Sequence, residues 1–220
     1  MIFPTNGAAT ARFFDLRLPK DDLLIFDMTK GERTRQRIIE VSAPVFNRYG
    51  FETTSMSQLM EVTGLEKGGL YRHFSSKEEI ALEVFKYSEE KIYGPVFAAL
   101  EKIEDPVDRL HAFVKGFAKK LPIAGGCPIF NTAVEHDHSN SKLREVAAAA
   151  FSLRIKRLAK WFIEAQREKR IALEMPATEA ALHLFCSLEG ALIARDLMGT
   201  EHPLRSTERM LISFLEGLET

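Results

Sequence analysis

Apolar residues recur at three- and four-residue spacings along most of the chain, and no stretch alternates residue by residue for long, so the pattern predicts helices throughout. Ile38, Val41, Val45 and Phe46 mark one side of a first helix over 33–49; Pro44 interrupts it and predicts a kink, and Gly50 supplies its end. Ser55 with Gln58 fits a capping box and starts a short helix whose buried side is Met56, Leu59, Met60 and Val62. Gly64 stands where the chain must turn sharply, because glycine takes a positive φ at little cost, and Leu65 plugs that turn into the core. A second short helix is expected over 67–73, with Leu70 and Phe74 four apart and inward, and Lys67, Tyr71, Arg72 and His73 outward. Ser76 and Glu79 form another capping box, opening a long helix over 77–100 with a bend at Gly94-Pro95.

The second half of the chain follows the same period. A helix is expected from Pro106 over 106–121, then a break from Pro122 to Pro128, then a short helix over 130–136. A long amphipathic helix over 141–170 carries Leu143, Val146, Phe151, Ile155, Leu158, Trp161 and Phe162. Helices over 177–198 and 202–218 close an all-α chain with no β pattern and no internal repeat. Residues 1–28 stand apart: Pro4, Asn6, Gly7 and Pro19 break helices, while Phe13-Phe14 and Leu23-Leu24-Ile25-Phe26 are apolar. They read either as a loosely docked extension or as a start assigned too early, since Met28 directly precedes the first periodic segment.

Composition narrows the class without naming it. A hydrophobic share of 45% and a charged share of 28% over 220 residues fit a globular protein with a sizeable core. The net charge of −1 gives no sign of nucleic acid, but residues 29–77 hold eight Lys and Arg against five Glu, a local basic bias. Two cysteines, Cys127 and Cys186, do not make a disulfide framework and fit a reducing compartment. No apolar run looks long enough to cross a bilayer, and the N-terminus lacks a basic-then-apolar leader, so the cytoplasm is the expected location and no membrane partner is expected.

Two short helices about a glycine make a helix-turn-helix, a fold that lays its second helix in the major groove. Around it stand Thr34, Ile38, Ala43, Phe46, Gly50, Phe51 and Thr54, followed by Tyr71, Phe74, Lys77, Glu78 and Ile80. This frame resembles the DNA-binding domain of the tetracycline-repressor (TetR) family of bacterial transcription regulators. Beyond it the likeness is looser, carried by helix lengths and by Gly126-Cys127-Pro128 and Glu189-Gly190-Ala191. The resemblance implies a DNA-binding domain over 29–78 and a helical ligand-binding and dimerisation domain over 79–220, after the extension over 1–28. It also implies a homodimer that binds a pseudo-palindromic double-stranded operator, most simply as a repressor, and is released by a small-molecule effector.

Carried onto matching positions, Tyr71, His73 and Lys77 hold phosphates with help from Thr54 and Ser55, while Lys67 and Arg72 reach base edges. Gly68 and Gly69 let the helix backbone approach the groove, and Arg35 and Arg37 flank it. Two positions depart from the family pattern: Glu66 stands where Ser or Thr is usual and repels phosphate, and Met60 replaces a small residue. Phe113, Phe117, Cys127, Phe130, Phe151 and Trp161 form the expected effector lining, suited to an apolar or aromatic ligand. Leu182, Phe185, Leu188, Leu192, Leu211, Phe214 and Leu218 form the expected dimer face, with Gly190 and Ala191 allowing close approach.

Three other functions are weighed against this one. Cys127, at a helix start after two glycines, reads either as an electrophile- or oxidant-sensing thiol or as a small buried hydrophobe, and Cys186 reads as structural. Glu66 leaves open an interaction protein of similar fold that has given up DNA. Glu135-His136-Asp137-His138 invites a metal, but the spacing does not share a helix face and no further ligand lies near, so no metal or cofactor is expected. No nucleophile elbow, phosphate loop or HExxH motif is present, and an enzyme is the poorest fit.

Overall fold

The computed structural model describes residues 28–117, 122–135 and 142–220. Nine helices occur among them: α1 (Lys30–Tyr49), α2 (Met56–Thr63), α3 (Lys67–Tyr71), α4 (Lys77–Leu100), α5 (Pro106–Phe117), α6 (Pro128–Glu135), α7 (Lys142–Arg167), α8 (Ala177–Met198) and α9 (His202–Glu216). Pairing outside helices is limited, in the described residues, to an isolated antiparallel bridge between Ile171 and Glu219. The expected extension, the tail of the helix over 106–121 and the histidines at 136 and 138 lie outside the described residues.

The starts of the helices follow their caps. At α1, Thr29 and Glu32 bond reciprocally, the Thr29 Oγ1 accepting from the Glu32 N–H at 3.2 Å and the Glu32 carboxylate from the Thr29 N–H at 2.7 Å, so the helix begins three residues before the expected point. Pro44 lies inside α1 on an exposed position, where a missing N–H is least harmful, and the helix runs on to Tyr49. At α4, Ser76 caps the Glu79 N–H, but the Glu79 carboxylate reaches back to the N–H of Ser75, one residue earlier than a regular box. Pro106, Pro128 and Pro203 each stand in a first turn, where proline's fixed φ suits the helix.

Two compact units divide the chain, residues 1–36 and 37–220. α4 runs unbroken from Lys77 to Leu100, across the position between 78 and 79 where the DNA-binding and sensing parts are expected to meet. Within the second unit α7 packs on α4, α5, α6 and α8, and α8 on α9. Trp161, Phe162 and Leu158 of α7 meet Leu184, Phe185 and Leu188 of α8, with Phe97 of α4 and Phe113 of α5, all essentially without exposure. Each such side chain contributes roughly 1.5–3 kcal/mol of burial, which holds the helices in place. Against the expectation of no spanning run, α8 is long and apolar enough by length and composition to cross a bilayer; here its apolar side forms the centre of the helical core.

The segment from Pro122 to Cys127 is a tight connector against the end of α1. Asn47 of α1 donates from Nδ2 to the carbonyls of Ala124 and Gly126, both at 2.9 Å. Gly125 has φ +105°, and a Cβ there would lie 2.6 Å from the Asn47 backbone, so only glycine allows this approach. Asn131 of α6 donates back to the Asn47 carbonyl at 2.9 Å and to the Gly125 carbonyl at 2.6 Å. At the other end of α6, the Glu135 carboxylate accepts the backbone N–H groups of Phe51, at 2.7 Å, and Glu52. A cleft lies between these helices, lined by Phe46, Asn47, Phe85, Ser88, Asn131 and Leu143 among others.

Candidate nucleic-acid interface and ligand core

The helix-turn-helix is built on three buried anchors, Leu59 of α2, Leu70 of α3 and Phe74 just beyond it. Ser55 caps α2 as a full capping box, accepting from the Gln58 N–H at 3.2 Å while its own N–H donates to Gln58 Oε1 at 2.8 Å. Gly64 closes α2 with φ +68°, its N–H on the Met60 carbonyl, and Leu65 is half-buried against the core. Met60 is likewise half-buried against the core. α3 is shorter than expected, because Gly68 and Gly69 disfavour helix and the bonding loosens into a turn at Arg72 and His73.

The outward side carries most of the expected groups. Lys67, Gly68, Tyr71 and Arg72 are exposed, and His73 is half-buried. The Tyr71 ring is 43% exposed, with the Lys67 ammonium 5.9 Å from its centroid, so the two present a combined aromatic and cationic surface. A Cβ on Gly68 would meet nothing within 4 Å, whereas one on Gly69 would touch Leu65 at 3.4 Å; Gly69 therefore faces inward, not toward a groove. Glu66 sits at the N-cap of α3 without a side-chain cap bond and is exposed. Arg37 is exposed and Arg35 half-buried on α1.

Two expected phosphate contacts are placed otherwise. Thr54 is fully buried, and its hydroxyl donates to the Gly50 carbonyl at 2.5 Å, so it cannot present itself to a backbone outside. Lys77 is half-buried; its ammonium donates to the carbonyls of Phe51, at 2.7 Å, and Thr54, at 3.0 Å, and lies 4.3 Å from the Phe51 ring centroid. It braces the loop before α2 onto the start of α4. Ser55 is exposed but its hydroxyl serves the capping box.

The expected effector lining separates into two groups. Phe113 and Trp161 are core residues packed with Phe97, at ring centroid distances of 5.5–6.3 Å. Phe117, Phe130 and Phe151 are half-buried and surround Phe185, at 6.1, 6.2 and 5.9 Å. None of the six lines the cleft beside α1.

Beneath the rings lies a polar cluster that periodicity alone did not assign. The Tyr93 hydroxyl donates to Glu189 Oε1 at 2.9 Å and lies 3.0 Å from Cys127 Sγ. All three residues are buried, and burial holds the Glu189 carboxyl up at about 7 despite the neighbouring Cys127 thiol and the bond from Tyr93. Burial, with Glu189 beside it, pushes the Cys127 thiol far up as well, so a thiolate is scarce and the sensing-thiol expectation gives way to a small buried hydrophobe with a weak bond. Cys186, expected to be structural, is exposed on α8. The available signal was Glu189 itself, a lone acid in the apolar run of α8 and one turn after Phe185. Among the described residues no three His, Cys, Asp or Glu gather for a metal, and Glu135 is engaged with backbone N–H groups.

The expected dimer face also needs revision. Phe185, Leu188, Leu192 and Leu211 are buried inside the protomer core, and Phe214 and Leu218 are half-buried. Of the expected positions Leu182 is exposed, and with it on α8 stand Cys186, Ile193, Leu197 and Met198, with Gly190 open beside them and Met210 exposed on α9. Leu182, Cys186, Ile193 and Leu197 follow helical spacing and form one stripe.

Comparison with known proteins places this arrangement. Residues 38–84 match the model for bacterial regulatory proteins of the tetR family, and residues 106–211 match the tetracyclin repressor-like C-terminal domain. A crystal structure of a TetR transcriptional regulator from Chloroflexus aurantiacus superposes with a TM-score of 0.82 at 35% identity, covering 87% of this chain and 98% of that one. The HTH-type transcriptional regulator LmrA of Bacillus subtilis is 26% identical over 170 residues, 76% of this chain and 87% of its own. The HTH-type transcriptional repressor DhaR of a Mycobacterium species is 25% identical over 171 residues, 77% of this chain and 86% of its own.

Proposed function

Since the chain belongs to the tetR family of bacterial regulatory proteins, helix-turn-helix regulators of transcription, we propose that it is a homodimeric cytoplasmic repressor released from its operator by a small apolar or aromatic effector. The observation that carries the reading is the outward side of α3, where Lys67, Tyr71 and Arg72 stand exposed above the buried Leu70 and Phe74. Lys67 and Arg72 donate to base edges in the major groove; Tyr71 and His73 hold phosphate, with Arg37 of α1 a further cation for the backbone. Gly68 keeps the approach clear. Lys77 and Thr54 act indirectly, by setting the loop that presents α2 and α3. Residues 29–78 serve as the DNA-binding part and 79–220 as the sensing part.

The dimer forms through the exposed stripe of α8 with Met210 and Phe214 of α9, and places two α3 helices about 34 Å apart on a pseudo-palindrome. The similarity to a named repressor supports repression by occlusion of a promoter. The effector lies among Phe117, Phe130, Phe151 and Phe185. α6 then provides the link, since Cys127 and Phe130 at its head join the ring core while Asn131 and Glu135 grip the end of α1 and the following loop. An effector that binds better when α6 is displaced shifts the population toward a form with mis-spaced α3 helices.

The test is an anisotropy titration on the DNA upstream of its own gene at two salt concentrations, beside a Lys67→Ala, Tyr71→Ala double variant. Tight binding by the natural protein, a salt slope lowered by about one and weaker binding in the variant are expected. Equal, weak binding by both proteins on that DNA and on a random-sequence operator library would remove the DNA-binding reading.

A further inference from the structure

Glu189 is wholly buried, yet only one of its carboxylate oxygens is satisfied. Oε1 accepts from Tyr93, while Oε2 has no partner. Either protonation state leaves a need unmet: the charged form lacks a donor at Oε2, and the neutral form carries an O–H there without an acceptor. A buried polar atom in that condition is costly, and a ligand group placed against it would recover that cost.

The surroundings select the ligand's charge. Glu189 forms no ion pair among the described residues. The titratable groups facing it are Tyr93 from α4, Cys127 before α6 and Cys186 on its own helix, all neutral near pH 7. Arg154 of α7 lies 4.8 Å from the centroid of the Tyr93 ring, but its charge is answered by an ion pair with Glu89. One helical turn before Glu189, Phe185 is packed by Phe117, Phe130, Phe151 and Tyr93 at 5.9–6.3 Å. Ring faces attract cations, and a carboxylate beside them adds the matching charge. Phe117, Phe130 and Phe151 are half-buried whereas Phe185 is not exposed at all, so theirs is the side of the ring core nearer to solvent.

We propose that Glu189 anchors the effector site and selects an organic cation, an arylalkyl amine whose ammonium donates to Oε2 while its apolar body lies among Phe117, Phe130, Phe151 and Phe185. This rests on the regulator reading only in taking that ring core as the effector site. The ammonium keeps its protons and the carboxylate is held ionised, so binding expels the proton that burial keeps on Glu189 below about pH 7.

The experiment is calorimetric titration of the full chain with benzylamine, phenethylamine and phenylbutylamine, each beside the alcohol of the same carbon skeleton. At least one amine binds about ten-fold or more tightly than its alcohol, and Glu189→Gln removes the preference. The natural protein supplies a second measure that does not depend on the variant folding: amine affinity rises as pH passes upward through about 7, and alcohol affinity stays flat. Alcohols binding as well as amines, no binding by any amine, or an intact preference in the folded glutamine variant would each overturn the proposal. Amines that fail on a protein still binding its upstream DNA overturn the cation site and leave the regulator reading in place. Amine preference in a protein that binds no DNA does the reverse.

Discussion

Glu189 shows how far a residue's surroundings can move it from its ordinary chemistry. Burial first, against the opposing influence of the Cys127 thiol and the Tyr93 bond, raises its carboxyl from 4.5 to about 7. The folded protein therefore holds a proton that the unfolded chain has released between those two values. Stability contributed by that proton is present below about 4.5, falls as pH rises, and is gone above about 7; the whole span is worth about 3 kcal/mol. Glu189→Gln, which cannot ionise, is expected to raise unfolding stability in alkaline buffer by up to that amount and to change little in acid, as read by urea melts at the two pH values. An equal gain at both would point to packing instead of titration. Cys127 makes the same point from sequence: two glycines and a helix start suggested an activated thiol, but burial, with Glu189 alongside, raises it against the bond from Tyr93, and no one-dimensional signal reports burial. Thr54 and Tyr71, both polar and both in the motif, could not be told apart by type either; one is fully buried and the other is 43% exposed.

Helix starts and stops were largely legible because their causes are local. Capping boxes at Ser55, the glycine at position 64 and prolines in first turns act over a few residues, and α4 and α8 lie where the periodicity placed them. What links elements to one another was less legible. Lys77 was expected on phosphate, but its ammonium bonds two carbonyls of the loop before α2. Lys77→Ala is expected to lose about 2 kcal/mol of stability, to weaken DNA binding, and to leave the salt slope unchanged. A slope lowered by about one would return Lys77 to the phosphate contacts. The grip of α6 on the end of α1 joins residues 84 positions apart, through Asn47 and Asn131 and through Phe51 and Glu135. An Asn131→Ala, Glu135→Ala variant is expected to keep most of its DNA affinity while its response to effector shrinks several-fold; a full response would show that coupling runs elsewhere.

At the scale of the whole molecule, the exposed stripe of α8 asks for a partner. Leu197 is 83% exposed and Ile193 and Leu182 are 45% and 38% exposed, a contiguous apolar line that a second copy would cover. Ile193→Glu with Leu197→Glu is expected to halve the mass seen by sedimentation and to reduce affinity for a palindromic operator by at least about ten-fold, because one half-site then binds alone. A variant that remains dimeric would move the interface off this stripe.

Several features of this protein are decided by the chain in one dimension: its helical class, the limits of most helices, the helix-turn-helix and the family to which it belongs. These depend on spacing, capping and turn residues, all of which act between neighbours. Which face of α8 is core and which is surface was decided only in three dimensions, since Phe185, Leu188 and Leu192 share its apolar character with Leu182, Ile193 and Leu197. The same holds for Glu189, Tyr93 and Cys127, which lie on different elements and meet only when α4, α6 and α8 pack. Apolar character says that a side chain prefers burial; only packing against other helices determines which ones obtain it, and which polar atoms are enclosed with them.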